Sequence, residues 1–548
     1  MSTLDWIVLA CSLAGMVLYG VWRSRGSDTT TKYLLAGKTM PWYAMALSIM
    51  ATQASAITFI STTGQSYVDG MRFVQMYLGL PLAMILISAF AVPRFHASGV
   101  FTAYEYLEKR FDARTRALAS VIFLLSRGLA VGVALSAPAV VLTVILAWPS
   151  HWTTLTMGVL VVAYTVSGGI AAVTWTEFVQ MIVMTAGIVA ALITVVLLLP
   201  DGVSLPHALA VAGAAGKLNA TVWRLDFNDQ YNVWSGLIGG MFLALAYFGC
   251  DQSQVQRYLT GRSVAQSRLG LLFNGVAKIP MQFFILFTGA MVFVFYVYSQ
   301  PPLVFHPQAM RALESRSEFA GLSRDYNRAF SLRRDAAIRL DLDAFRRAQR
   351  EVDDVRGRAL DLAGEAMGQP RVNDTNYVFL WFVVHHIPAG VVGLIMAAIF
   401  SAGMSTISAE INSLATVSMV DLYRRFFRRE AADRHYLAAS RWFTLFWGAY
   451  AIVTAMYAQN LGSLVEAVNR LGSLFYGTLL GVFVLAFFFP RVRGGAAFLS
   501  MLAGEAAVFA VWHFTGLAFL WLNAVGCLTV VVSGLALSFL TRSPRPAA

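Results

Sequence analysis

Apolar positions along the chain gather into thirteen long runs separated by short polar stretches. They cover about 4–23, 41–69, 71–93, 114–146, 152–171, 174–199, 232–258, 268–299, 386–423, 437–458, 464–488, 495–514 and 517–541. About 20 apolar residues in helical form cross a bilayer core, so each run predicts a spanning helix. Strands of an outer-membrane barrel would instead alternate over about 10 residues. The pattern predicts an all-α integral membrane protein with 13 transmembrane helices.

Composition agrees with the pattern. Of 548 residues, 58% are hydrophobic and 13% charged, against about 25% charged in soluble proteins. A soluble enzyme and a disordered scaffold are excluded. The net charge of +12 does not predict a nucleic-acid partner, because the basic residues sit in short loops between apolar runs. Arg23, Arg25, Lys32 and Lys38 follow run 1, Arg94, Lys109 and Arg110 follow run 3, and Arg257 and Arg262 follow run 7. Arg424, Arg425, Arg428 and Arg429 follow run 9, Arg491 and Arg493 follow run 11, and Arg542 and Arg545 end the chain. The positive-inside bias then places the N-terminus outside and the C-terminus in the cytoplasm of a plasma (inner) membrane. Run 1 has no basic residue before it, so it reads as a retained helix at 4–23 rather than a signal peptide.

Residues 301–376 break the apolar rhythm and are rich in Arg, Asp and Glu. Ala337, Leu340, Ala344, Ala348, Val352, Val355 and Ala359 recur there at helical spacing, which predicts one amphipathic helix in an extracellular insertion. It is read either as a cap over an outer vestibule or as a solvated decoration.

Two runs carry polar stripes. Ser401, Ser405, Ser408, Asn412 and Thr416 share one face of run 9, and Ser48, Thr52, Ser55, Thr58 and Thr62 share one face of run 2. Inside a bilayer such a stripe must face protein, water or an ion. Hydroxyl and carbonyl oxygens around a small cavity could replace the water shell of Na⁺. Small residues that let helices approach closely are the other reading. Arg127, Glu177, Asp251, Lys278 and Glu410 are charges within or at the ends of apolar runs, each a candidate for function. Arg127 and Glu410 read equally as a structural pair, and Asp251 as a helix-end group. The eight histidines are scattered, the three cysteines form no cluster, and a phosphate-cradling loop is missing, so the sequence offers no catalytic constellation.

These motifs together resemble the sodium:solute symporter family. Its carriers here are Tyr-Leu-Leu-Ala-Gly-Lys-Thr-Met-Pro-Trp-Tyr (33–43), Ser-Ala-Ile-Thr-Phe-Ile-Ser-Thr-Thr-Gly (55–64) and Ser-Gly-Gly-Ile-Ala-Ala-Val-Thr-Trp-Thr-Glu-Phe-Val-Gln (167–180). Gln-Val-Gln-Arg-Tyr (254–258), Ser-Ala-Gly-Met-Ser-Thr-Ile-Ser-Ala-Glu-Ile-Asn-Ser (401–413) and Leu-Gly-Ser-Leu-Phe-Tyr-Gly (471–477) continue it in family order. The resemblance implies a single transporter domain over 1–548 with a LeuT-type core of two inverted five-helix repeats, helices 2–6 (41–199) and 7–11 (232–488). The helix at 4–23 precedes this core and two helices at 495–541 follow it.

It further implies a Na⁺-coupled importer of a small polar organic solute, working by alternating access, and not an enzyme; a channel or a membrane sensor on the same helical core is the rival reading from another class. A main Na⁺ site would use the carbonyls of Ala51, Ala54 and Ala402 and the hydroxyls of Ser405 and Thr406. A candidate second Na⁺ site maps to Glu177 and Ser408, with glutamate in place of the family's aspartate and Ala409 lacking a hydroxyl. Substrate and gate positions map to Thr58, Gln75, Tyr247, Lys278 and Asn469. Lys278 and Tyr247 match the sugar carriers, whereas Ala244, Thr58 and Val468 depart from them. Gln-Val-Gln-Arg-Tyr looks more like the monocarboxylate, vitamin and iodide branch. A sugar or cyclitol is the first expectation for the solute, and a monocarboxylate, vitamin or other small anion the alternative.

Overall fold

The computed structural model describes residues 1–23, 36–146, 148–167, 170–458 and 463–540. Arg25, Lys32, the first three residues of the 33–43 motif, Gly168, Gly169, Arg542 and Arg545 lie outside them. Among the described residues strand pairing is limited to one isolated bridge, Met40 with Gly261. Every apolar run contains helix. Seven helical stretches are long and apolar enough to cross a membrane, or eight if a bent pair counts as one span. The expected count of thirteen goes beyond these.

The first run forms α1 (Thr3–Arg23), pinned at its start because the Asp5 carboxylate accepts the backbone N–H of Gly390 at 2.6 Å and of Gly393 at 3.2 Å. The second run is two helices, α2 (Trp42–Gln53) and α3 (Ala56–Asp69). Ala54 (φ −89°, ψ 68°) and the extended Ser55 separate them. Glycine fixes α3 from two sides: a Cβ on Gly64 would lie 2.0 Å from the Thr375 carbonyl oxygen, and one on Gly289 would lie 2.2 Å from that of Thr63. Only a missing side chain allows backbones this close.

In the third run α4 (Leu80–Leu86) continues through a π-helical turn at Ile87–Ala91 into α5 (Val92–Ser98), and α6 (Ala103–Arg110) leads to the long α7 (Ala113–Leu146). Then come α8 (Ser150–Ser167), α9 (Ile170–Leu197) and the short α10 (Leu205–Ala214). Run 7, expected unbroken over 232–258, divides into α11 (Gly240–Gly249) and α12 (Gln252–Leu259). The cause is Asp251, whose carboxylate accepts Ser253 N–H at 2.8 Å and starts a new helix. Both interruptions thus fall in the first span of an expected repeat.

α13 (Val264–Tyr298) ends at the charged insertion, which differs from its expected single helix. It holds α14 (Pro307–Glu314), α15 (Phe319–Ile338) and α16 (Leu342–Ala366), with α15 and α16 packed on each other. The expected stripe fails at Leu340, which is 44% exposed and has φ 55°. The left-handed backbone there turns the chain between two helices. His207 and Ala337 O meet at 2.8 Å, and Arg333 donates to Tyr296 O at 2.7 Å, so the insertion is docked on the core.

α17 (Thr375–His386) precedes α18 (Val391–Val417). Run 9 therefore begins at Val391 rather than 386, after Pro388 and a Gly390 with φ 88°. α19 (Asp433–Ala458), the pair α20 (Leu464–Ser473) and α21 (Tyr476–Phe488) bent by 43°, α22 (Gly494–Phe514) and α23 (Phe519–Leu540) complete the bundle.

Candidate functional site

α2 and α18 meet at the helix break, with α9 and α12 beside them. Glu177 of α9 is fully buried and stands at the junction. Its carboxylate accepts hydrogen bonds from Ser48 Oγ, from Thr52 Oγ1 at 3.1 Å and from Ser405 Oγ at 2.9 Å. Arg257 of α12, 1% exposed, donates to the same carboxylate at 2.8 Å. Four helices are tied together at one ion pair. By its position after run 7 Arg257 reads as a loop cation, and the structure buries it instead. The signal for this was Glu177 itself, since an intramembrane carboxylate requires a partner.

The break exposes the last carbonyls of α2, which have no following turn to bond them. Met50 O accepts Ala54 N–H at 2.7 Å, Thr52 O accepts Thr406 Oγ1 at 3.3 Å, and Gln53 O accepts Thr58 Oγ1 at 3.2 Å. Ala51 belongs to the same last turn. Ser405 and Thr406 both donate their hydroxyl protons, the first to Glu177 and the second to Thr52. A hydroxyl has two acceptor lone pairs besides its donor, so this arrangement leaves lone pairs of both for a cation. Ala51, Ala54 and Ala402 are all buried. The second candidate set is placed differently. Glu177 is already neutralised by Arg257, so another cation there would compete with a guanidinium. Ser408 is buried but is not among the hydrogen-bond donors to that carboxylate.

A cavity with about 870 Å³ of empty volume, part of it open to solvent, adjoins this junction. Thr52, Gln53, Ser55 and Thr58 border it on the α2–α3 side, and Thr406 and Glu410 of α18 on another. Tyr247, Asn469 and Tyr476 also line it, together with Arg127 of α7. Arg127 Nε donates to Asp251 at 2.5 Å and NH1 to Glu410 at 3.0 Å. The guanidinium carbon lies 4.8 Å from the Tyr247 ring centroid. NH2 of Arg127 has no hydrogen-bond partner among the described residues. Tyr476 OH donates to Asp251 at 3.1 Å, and Gln254 donates to Tyr247 OH at 2.7 Å.

Of the five substrate and gate positions, Thr58, Tyr247 and Asn469 line the cavity, while Gln75 and Lys278 do not. The Gln75 amide is engaged with backbone: it donates to Tyr231 O at 2.9 Å and accepts Val222 N–H at 2.8 Å. Lys278 is fully buried, without a hydrogen-bond partner among the described residues, 5.5 Å from the Tyr77 ring centroid. Tyr77 borders the cavity, so Lys278 stands one side chain behind its wall.

The sequence pattern of the sodium:solute symporter family matches residues 33–322 and 358–504. The chain belongs to this family. Among relatives of this symporter, the sodium/sialic acid symporter of Proteus mirabilis (strain HI4320) is 26% identical over 537 residues, covering 97% of this chain and 94% of the relative. The sodium-dependent multivitamin transporter of Oryctolagus cuniculus is 26% identical, covering 98% and 72%. The sodium-coupled monocarboxylate transporter 1 of Homo sapiens is also 26% identical, covering 92% and 72%. A solved Na⁺-coupled sialic acid symporter in a substrate-bound outward-open state superposes with a TM-score of 0.77 at 24% identity, over 99% of this chain and 98% of that one. The fold is therefore the all-α LeuT type. The protein is a multi-pass, Na⁺-coupled membrane symporter for a small organic solute.

Proposed function

We propose that this symporter imports a small polar solute bearing one carboxylate, with Na⁺ held where α2 breaks beside α18. One observation carries the choice of solute: Arg127 borders the cavity with an unpartnered NH2. With Nε and NH1 already engaged, NH2 offers two N–H donors on a delocalised cation, which a carboxylate accepts as charge-assisted hydrogen bonds. Thr58, Gln53 and Asn469 would take the remaining hydroxyls or amides. Relatives named for sialic acid and for monocarboxylates point the same way. A sugar or cyclitol without an acid group would offer that NH2 only neutral hydroxyl acceptors.

Charge accounts for coupling. Arg127 faces two carboxylates, Asp251 and Glu410, while Glu177 and Arg257 balance each other. The buried cluster carries a negative surplus that repels an anionic solute until Na⁺ offsets it. Binding of the ion first and the solute second makes the two events interdependent, which is what coupling requires. In the N-out, C-in orientation, the inside-negative potential favours inward Na⁺ movement by about 2.3 kcal/mol per 100 mV. The two repeats, each opening on a broken helix, would supply the alternating motion.

Thermal melting of the purified protein tests this with matched pairs, an acid and its neutral analogue: gluconate with glucose, lactate with propanediol. The acid of at least one pair is expected to raise the melting temperature in NaCl and not in choline chloride, as mass action requires of a true ligand. Stabilisation by the neutral member alone would restore the sugar or cyclitol reading.

A further inference from the structure

A second chamber lies between the charged insertion and the membrane core, with about 2290 Å³ of empty volume, part of it open. Tyr67, Lys217, Arg333, Asp353, Arg356 and Asp374 are on its walls. The family's sequence pattern stops at 322 and resumes at 358, so Arg333, Asp353 and Arg356 lie in a stretch that pattern does not cover. Tyr67 is nine residues along α3 from Thr58 of the central cavity, about 14 Å at 1.5 Å per residue. The two spaces are distinct.

Their charges are handled differently. Arg356 pairs with Asp374 at 2.6 Å. Arg333 is 2% exposed, yet its bonds go to neutral acceptors: Tyr296 O at 2.7 Å and Gln349 Oε1 at 3.1 Å. Its Nε has no partner, and among the described residues no carboxylate pairs with it. Lys217 donates only to the Val68 carbonyl among the described hydrogen bonds. Asp353 attracts both Lys217 and Arg333 but, among the described residues, makes no ion-pair contact with either, and a cation withdrawn from water without a contacting counter-ion costs several kcal/mol. A roomy polar chamber that holds such a cation is suited to an anion from outside.

We propose that this chamber is an outer binding site for a small carboxylate or inorganic oxoanion, attracted by the charges of Arg333, Lys217 and Arg356 on its walls. The site stands on its own whatever solute the central cavity carries. Burial pushes the Lys217 ammonium down to about 8, against the pull of Asp353 and Asp69 and with repulsion from Arg356. Lys217 is therefore charged below that pH and neutral above it.

Calorimetric titration of the full-length protein with sulfate and with acetate, in Na⁺-free choline chloride buffer, tests the site. Saturable binding of at least one anion is expected, and which one binds separates an inorganic oxoanion from a carboxylate. Arg333→Gln is expected to weaken it at least about tenfold, a change of about 1.4 kcal/mol, while Arg333→Lys keeps most of the affinity. Arg127→Lys, which keeps a cation facing Asp251 and Glu410 and loses the guanidinium of the central cavity, should bind the anion as wild type does. Sulfate and acetate stay fully ionised as pH rises through about 8, so weakening across that range reads Lys217. If Arg333→Gln does not fold, the Arg333→Lys and pH arms decide. Absence of saturable binding, full affinity in Arg333→Gln, loss of binding in Arg127→Lys or a flat pH profile would overturn the proposal.

Discussion

Two buried polar systems in this transporter obey opposite rules. Around the central cavity each of the five charges has an opposite partner: Glu177 with Arg257, and Arg127 with both Asp251 and Glu410. On α13, Asn274, Lys278 and Gln282 recur every four residues on one face, all fully buried. Both polar atoms of each amide and the Lys278 ammonium lack hydrogen-bond partners among the described residues. The first system joins helices: α2, α9, α12 and α18 meet at one carboxylate, and α7, α11–α12 and α18 at one guanidinium. The second joins nothing in this conformation. Polar content alone therefore does not mark a site inside a membrane. Convergence of charges from several helices on one point does, because it satisfies groups that lipid would leave unpaired.

Breaking the first system should have the largest effect. Arg257→Ala leaves Glu177 buried without its cation, a loss of about 3–5 kcal/mol for a buried pair. It should be read as a large drop in melting temperature or in yield of folded protein. The neutralised double variant Glu177→Gln/Arg257→Gln should recover most of it. Equal behaviour of the single and double variants would show that the pair is not what ties these helices.

Neutralising the second system should act in the other direction. Lys278→Met removes an unpartnered ammonium and should leave the melting temperature unchanged or higher. Na⁺-dependent solute binding should persist, because Tyr77 separates Lys278 from the cavity. A loss of solute binding as large as that of an Arg127 variant would instead place Lys278 in contact with solute. The smallest effect concerns the insertion. Leu340→Gly relieves a left-handed backbone at an exposed turn and should add about 0.5 kcal/mol to its stability. Slower proteolysis between α15 and α16 would report it, and faster cleavage would contradict it.

Much of this architecture was legible in the residues. Apolar run length alone predicted helix in every run, since lipid allows little else. The stripes on runs 2 and 9 marked the two elements that meet at the break, because hydroxyls repeated on one helical face need a shared neighbour. What stayed hidden depends on tertiary partners. Arg257 reads as a loop cation until Glu177 is placed beside it. Gln75 reads as a cavity residue until Tyr231 and Val222 claim its amide. The stripe through Leu340 keeps helical spacing across a turn, because spacing does not register a change of backbone sign at one residue.

The central claim is that oxygens from the break in α2 and the hydroxyls of Ser405 and Thr406 hold the coupling ion. Melting of the purified protein against rising Na⁺, with choline replacing it, measures this most directly. Wild type should gain stability with Na⁺ concentration, following mass action, and the folded Ser405→Ala/Thr406→Ala variant should give a flat response. An unchanged Na⁺ dependence in that variant would contradict the account.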